Sequence, residues 1–152
     1  MRSFALLGFA GLYFAIALAL AWVLGVTLFY PNGFLASHIV VRADIVRAHI
    51  DYLMMSQFLF IFFLLLRRFS VEPPIWAVAA SCFGAFANPL GFLARGLTPK
   101  PDPALAVEPH FPVPAIVTFS ATTLGFLSLV VIIVVAAWKA TPKSAPVALG
   151  GK

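Results

Sequence analysis

The stretch VRADIVRAHIDYLMMSQFLFIFFLLLRR, residues 41–68, decides the fold of this chain. It begins with charged residues that alternate with apolar ones, continues as an apolar run over residues 50–66, and ends at two arginines. A helix formed by this run is apolar on every side, which is typical of a membrane span. Because the run is short for a span, His49 and Asp51 are expected at or just below the membrane interface. Ionisable groups there are costly without partners, so both are functional candidates.

The composition of the whole chain indicates the same environment. Of its 152 residues, 62% are hydrophobic and only 10% are charged, whereas a soluble domain has about 25% charged residues. The formal charge is +5, but the basic residues lie at the ends of apolar runs. This pattern indicates membrane topology and contact with anionic lipids, and it argues against a nucleic-acid partner. Cys82 is the single cysteine, so no disulfide can form within the chain.

Three further apolar runs give four predicted spans, at about residues 4–30, 45–66, 75–93 and 115–138. The predicted fold is therefore all-α: an integral membrane four-helix bundle with both termini on the same side. One domain covers residues 1–138, and residues 139–152 form a polar tail that we expect to be disordered.

Local signals predict details of these spans. In the first, Gly8, Gly11 and Gly25 are expected to let a neighbouring helix approach closely. In the third, Pro89 is expected to kink or end the helix, because proline removes a backbone hydrogen bond. The segment 95–114 holds six of the twelve prolines and predicts an extended loop, with Glu108 and His110 as its polar candidates.

The basic residues predict the orientation of the bundle. Six lysines and arginines flank the side of the termini, and four flank the opposite side. The positive-inside rule then predicts that both termini are cytoplasmic, as in an integral protein of a bacterial inner membrane. The two sets are Arg2, Arg67, Arg68, Lys139, Lys143 and Lys152, against Arg42, Arg47, Arg95 and Lys100.

Polar residues within the spans gather at the non-cytoplasmic end, where a polar pocket could form. They are His49, Asp51 and Tyr52 in the second span, Asn88 in the third, and Thr118, Ser120, Thr122 and Thr123 in the fourth. Helical spacing separates His49 from Asp51 by roughly 200 degrees, so the two should not face one pocket. Arg47, four residues before Asp51, could neutralise it; Arg42 or Arg95 could do the same.

Each candidate has a structural reading beside the functional one. His49 could bond a backbone carbonyl, or its neutral imidazole could be an axial ligand of haem. Asp51 could be half of a salt bridge, and Asn88 could join two helices or contact a substrate. His38 is a loop residue. Met54, Met55 and the phenylalanines are expected to pack.

The motif Arg47-Ala48-His49 at the start of the second span resembles that of styrene oxide isomerases and the related hydroxylaminobenzene mutases. Those small proteins have four spans in about this length, and the mutase branch has an acidic residue where Asp51 stands. The segment 86–92, FANPLGF, is similar in place to the end of their third span. A proline-rich loop and an apolar fourth span follow in both.

The resemblance implies a haem b bound between subunits of a homo-oligomer through His49. It implies that ferric iron opens a small apolar epoxide as a Lewis acid, while an apolar cavity stabilises a benzylic cation and excludes water. Asn88 and Asp51 would be the catalytic candidates, with Asn88 orienting the substrate.

The chain departs from that pattern at three places. Met55-Ser56 replaces an Asn-Gly pair, Phe92 stands near the expected tyrosine, and no carboxylate stands near Cys82. Two alternatives therefore stay open beside an isomerase. One is a non-catalytic four-helix membrane protein that binds haem or assists assembly of a complex. The other is a small transporter, although no internal repeat is visible.

Overall fold

The computed structural model describes residues 2–99 and 111–140, and most of them are helical. No strand occurs within those ranges. The helices are α1 (Ser3–Phe29), the short α2 (Phe34–Ser37), α3 (Arg42–Arg68), α4 (Ile75–Leu97) and α5 (Val113–Ala140). All except α2 are long and apolar enough to cross a membrane. The prediction of an all-α bundle with four candidate spans is confirmed, and the apolar helices fit an integral membrane protein.

The four long helices are arranged side by side in the order of the chain. α1 packs mainly on α3, α3 on α4, and α4 on α5, while contacts between α1 and α4 and between α3 and α5 are slight. Within the described residues, α1 and α5 do not meet. Consecutive spans run antiparallel. Because α3 and α4 each pack extensively on two long helices, they are the inner helices, and α1 and α5 are the outer ones.

The connection between α3 and α4 is a tight turn at the end where α1 begins. Ser70 adopts a φ of 53°, and the amide of Val71 donates to the carbonyl of Leu66 over 3.0 Å. This left-handed residue and its six-to-one bond close α3 in the manner of a Schellman motif. The carboxylate of Glu72 then accepts a bond from the Ser3 hydroxyl at 3.0 Å. The start of α1 and the α3–α4 turn are thereby fixed together.

The prediction that Pro89 would kink or end the third helix is wrong in its stronger form, because α4 continues beyond this residue to Leu97. A proline is tolerated inside a membrane span when neighbouring helices pack around it, and Pro89 is buried. The extra turns bring Gly96 to the start of α3. Its carbonyl accepts from the amides of Val40 and Val41, at 2.9 and 3.0 Å.

The loop predicted over residues 95–114 is shorter at both ends, because α4 ends at Leu97 and α5 begins at Val113. Its central part, including Glu108 and His110, lies outside the described residues. The predicted tail began at Lys139, but Lys139 belongs to the last turn of α5. The remainder of that tail, residues 141–152, also lies outside them.

Candidate functional site

Three polar side chains of α3, spaced seven residues apart, donate hydrogen bonds to backbone carbonyl oxygens of α1; we call this set the α1–α3 ladder. The heptad spacing keeps them on one stripe of α3, and the acceptors on α1 have the same spacing in the opposite direction. The bonds run from Arg42 Nη2 to Leu24 O at 2.8 Å, from His49 Nδ1 to Ala17 O at 2.9 Å, and from Ser56 Oγ to Ala10 O at 2.8 Å.

The ladder places a proton on one nitrogen of the His49 ring. A carbonyl oxygen can only accept, so Nδ1 of His49 carries a proton, and in the neutral ring Nε2 then keeps its lone pair. The side chain is only partly buried. Both readings of His49 fit this geometry, because an imidazole that donates through Nδ1 to a carbonyl is oriented to bind a metal through Nε2.

His49 also lies deeper along the bundle than its place in the sequence indicates. Its acceptor, Ala17, is close to the midpoint of α1 (Ser3–Phe29). We expected the interface because the apolar run of α3 starts only at Ile50. The charged first turns of α3 instead lie beside the second half of α1, which places His49 level with the middle of that helix.

Asp51 bonds to Asn88 on α4. Asn88 Nδ2 donates to Asp51 Oδ2 over 2.7 Å, and the Asp51 side chain is buried. This contact joins α3 to α4 at about the level where His49 joins α3 to α1. Asp51 and Asn88, both predicted as catalytic candidates, are therefore brought together, and the interhelical reading of Asn88 is confirmed.

The expectation of an arginine partner for Asp51 is wrong within the described residues. Arg47 Nη1 bonds to Asp44 Oδ1 at 2.8 Å, and Arg95 Nη2 lies 3.7 Å from the same oxygen. Arg42 bonds to α1: besides the carbonyl of Leu24, it donates to Thr27 Oγ1 over 2.6 Å. The charged groups pair with one another at the end of the bundle, and Asp51, further along α3, receives a neutral partner.

The prediction that His49 and Asp51 face different sides of α3 is confirmed. His49 points to α1 and Asp51 to α4, so within one chain His49 does not share a pocket with Asp51 or Asn88. The catalytic roles of Asp51 and Asn88 stay predictions.

Two tyrosines bond to backbone carbonyls of α4, one from α1 and one from α3. Tyr13 donates its hydroxyl to the carbonyl of Cys82 at 2.6 Å, and Tyr52 donates to that of Phe86 at 3.3 Å. Both rings are almost completely buried. Cys82 itself is a buried free thiol.

α4 and α5 are in contact through their backbones at two reciprocal sites, which we call the α4–α5 crossing. A Cβ on Gly125 would lie 2.6 Å from Ser81 Oγ, and a Cβ on Gly84 would lie 2.5 Å from the amide nitrogen of Thr122. The Ser81 hydroxyl is buried without a hydrogen-bond partner in the described part of the chain. The two backbones lie closer together here than a residue larger than glycine would allow.

The glycines that were expected to make such contacts do not make them. A Cβ on Gly8, Gly11 or Gly25 would meet nothing within 4 Å, so these residues of α1 face away from the bundle.

Beyond the crossing, α4 and α5 separate and leave a cavity of about 260 Å³, which we call the α4–α5 cavity. Most of its lining is apolar, and the polar groups come from three side chains on the two helices. Residues of the lining include Asn88, Gly91, Phe92, Arg95, Thr118 and Phe119.

The hydroxyls of α5 contribute little to a polar pocket. Thr118 donates to the carbonyl of Ala115 at 3.1 Å, and Thr122 donates to that of Thr118 at 2.7 Å. Ser120 and Thr123 are exposed. Of the hydroxyl groups predicted to gather here, Thr118 is the one that lines the cavity.

No family model, curated protein or solved structure matches the chain. Within residues 2–99 and 111–140, no three His, Cys, Asp or Glu side chains form a group that could hold a metal ion. Haem does not require such a group, because the porphyrin supplies most of the donors to iron.

Proposed function

We propose that this chain is a membrane-embedded isomerase that rearranges a small apolar epoxide or aryl substrate, with haem b held by Nε2 of His49. The observation that supports this proposal is the 2.9 Å bond between His49 Nδ1 and Ala17 O. It selects the tautomer that an axial ligand needs, on a side chain that is still partly accessible.

The residues of this chain would position the group and its surroundings. The bond to Ala17 holds the His49 ring in one orientation and increases the basicity of Nε2. Ile50 and Leu53, which follow His49 on α3, are apolar and would limit the access of water. When bound, ferric haem would supply a Lewis acid for the oxygen of an epoxide.

The proposal includes a homo-oligomer. His49 bonds to α1 and its side chain is partly exposed, so one copy of the chain would cover only part of a haem held there. A second copy could cover the other side. Multi-angle light scattering of the detergent-purified protein tests this, and a monomer that retains haem would contradict it.

The proposal also includes an inner membrane location in bacteria with both termini in the cytoplasm. It is supported by the basic residues that flank the end where Ser3 bonds to Glu72. Alkaline phosphatase fused after residue 140 should be inactive, and the same enzyme inserted after residue 33 should be active. The opposite result would reverse the topology.

An absorption spectrum tests the cofactor. We expect a Soret band in protein expressed with haem precursor, and its loss in His49→Ala. Two control variants separate the ligand from its surroundings. His38→Ala should keep the band, because His38 follows the short α2 in the connection between two spans and does not lie in a span. Ser56→Ala removes a neighbouring bond of the ladder and should keep it too. Equal loss in His49→Ala and Ser56→Ala would mean that His49 matters only for packing.

The second candidate is a non-catalytic four-helix membrane protein that binds haem or assists assembly of a complex. It is favoured by the internal bonds of His49, Asp51 and Asn88, which give each of them a structural role. A Soret band without activity on a panel of aryl epoxides would support a haem-binding subunit. A folded protein without the band would support an assembly role.

A further inference from the structure

The α4–α5 cavity is separated from His49 by α3 and α4, so it is independent of the proposed haem site. The cavity is open on one side, and its volume, about 260 Å³, is larger than the roughly 150 Å³ of a closed apolar cavity that holds benzene in an engineered protein. One six-membered ring with a short substituent would fit. The rings of Phe92 and Phe119 line it, and Gly91 opens onto it because no atom lies within 4 Å of a Cβ built there.

The amide of Asn88 supplies directional bonding in this cavity. One N–H of its Nδ2 is used by Asp51, and within the described residues Asn88 makes no other hydrogen bond. An amide has two donor hydrogens and one acceptor oxygen, so one N–H and Oδ1 are available. An alkyl chain of a lipid would leave both unsatisfied, whereas a ligand oxygen would accept from the N–H.

Charge in the lining disfavours an anionic ligand. Arg95 is the cation of the lining, and its guanidinium lies 4.7 Å from the ring centroid of Phe92. The same group lies 3.7 Å from the carboxylate of Asp44, which opposes its charge. Thr118 already donates its hydroxyl to Ala115, so it offers only an acceptor.

We infer that the α4–α5 cavity binds an uncharged molecule with one ring and a short substituent that carries a hydrogen-bond-accepting oxygen. The ring lies between Phe92 and Phe119, and the oxygen accepts from Asn88 Nδ2. This site is additional to the haem site proposed above and functions without it.

Fluorine NMR on the full chain in lipid nanodiscs tests this inference, with 4-fluoroacetophenone as the probe and empty nanodiscs as the blank. Gly91→Leu should abolish saturable binding by filling the cavity, and Gly91→Ala should weaken it in part. Gly11→Leu is the matched control, since Gly11 is also a span glycine with open space but lies on α1. It should bind as the unmodified chain does. His49→Ala should also bind normally.

The probe can be varied to test the role of Asn88. 4-Fluorotoluene lacks the oxygen and should bind at least about tenfold more weakly, which is the effect of one lost hydrogen bond. 4-Fluorobenzoate should not bind. Equal loss in Gly91→Leu and Gly11→Leu, or no saturable binding to the unmodified chain, would overturn the inference. So would equal affinity for the ketone and the toluene.

Discussion

The α1–α3 ladder and the α4–α5 crossing hold two antiparallel helix pairs by different means. In the ladder, side chains of α3 reach carbonyl oxygens of α1 at heptad spacing. In the crossing, Gly84 and Gly125 bring the two backbones together. Lipid tails are as apolar as the side chains, so burial of apolar surface gives little drive for association, and hydrogen bonds or close packing must supply it. One small bundle uses both solutions.

The largest expected effect is at the crossing. Gly125→Leu places a side chain where Ser81 backbone atoms lie within 2.9 Å of the new Cβ, and we expect it to cost at least about 3 kcal/mol, the upper range for overpacking. The free energy of unfolding in bicelles, measured by steric trapping, gives the value.

Gly11→Leu is the control for this substitution, because its Cβ would meet nothing within 4 Å. The control should change stability by less than about 0.5 kcal/mol. Equal losses in the two variants would mean that α5 is not held by close backbone contact.

An intermediate effect is expected between α3 and α4. Asn88→Leu leaves the carboxyl of Asp51, whose exposed fraction is 8%, without its hydrogen-bond partner, at a cost of about 2 kcal/mol. The double variant Asp51→Leu with Asn88→Leu should recover part of this loss, because no polar group is then left unsatisfied. A double variant less stable than Asn88→Leu alone would show that the pair has another role.

The smallest effect is expected in the ladder. Ser56→Ala removes one bond to Ala10 and should cost about 0.6 kcal/mol, the average for hydrogen bonds between membrane helices. Combined with Gly125→Leu, the two costs should add within about 0.5 kcal/mol, because the ladder and the crossing share no residue. A larger coupling would mean that the two interfaces communicate through α3 and α4.

The sequence was sufficient to predict the four spans and to predict that His49 and Asp51 face different sides of α3. Uniformly apolar runs of this length have few alternatives to a membrane helix. The angle between His49 and Asp51 follows from helical geometry alone, and the structure confirms it. Which partner each residue takes does not follow from one helix, so Asn88 could not be assigned to Asp51 from spacing.

The glycines show why packing was harder to predict. In a soluble helix the polar face identifies the exposed side. In a span that is apolar all round, the sequence does not show which side faces lipid and which faces another helix. Gly8 and Gly11 on α1 were therefore expected to meet a neighbouring helix, although a Cβ on either would meet nothing within 4 Å. The continuation of α4 beyond Pro89 was missed for a related reason: only the neighbouring helices decide whether a proline is tolerated.

The side-by-side order of the helices has a consequence for synthesis of the chain. Each extensive contact between long helices joins two spans that are consecutive in the sequence. Every main contact can therefore form as soon as the next span leaves the translocon, and no span has to wait for a distant partner. A nascent chain that has been inserted as far as residue 71 already contains both sides of the α1–α3 ladder. α4 can then pack on α3, and α5 on α4.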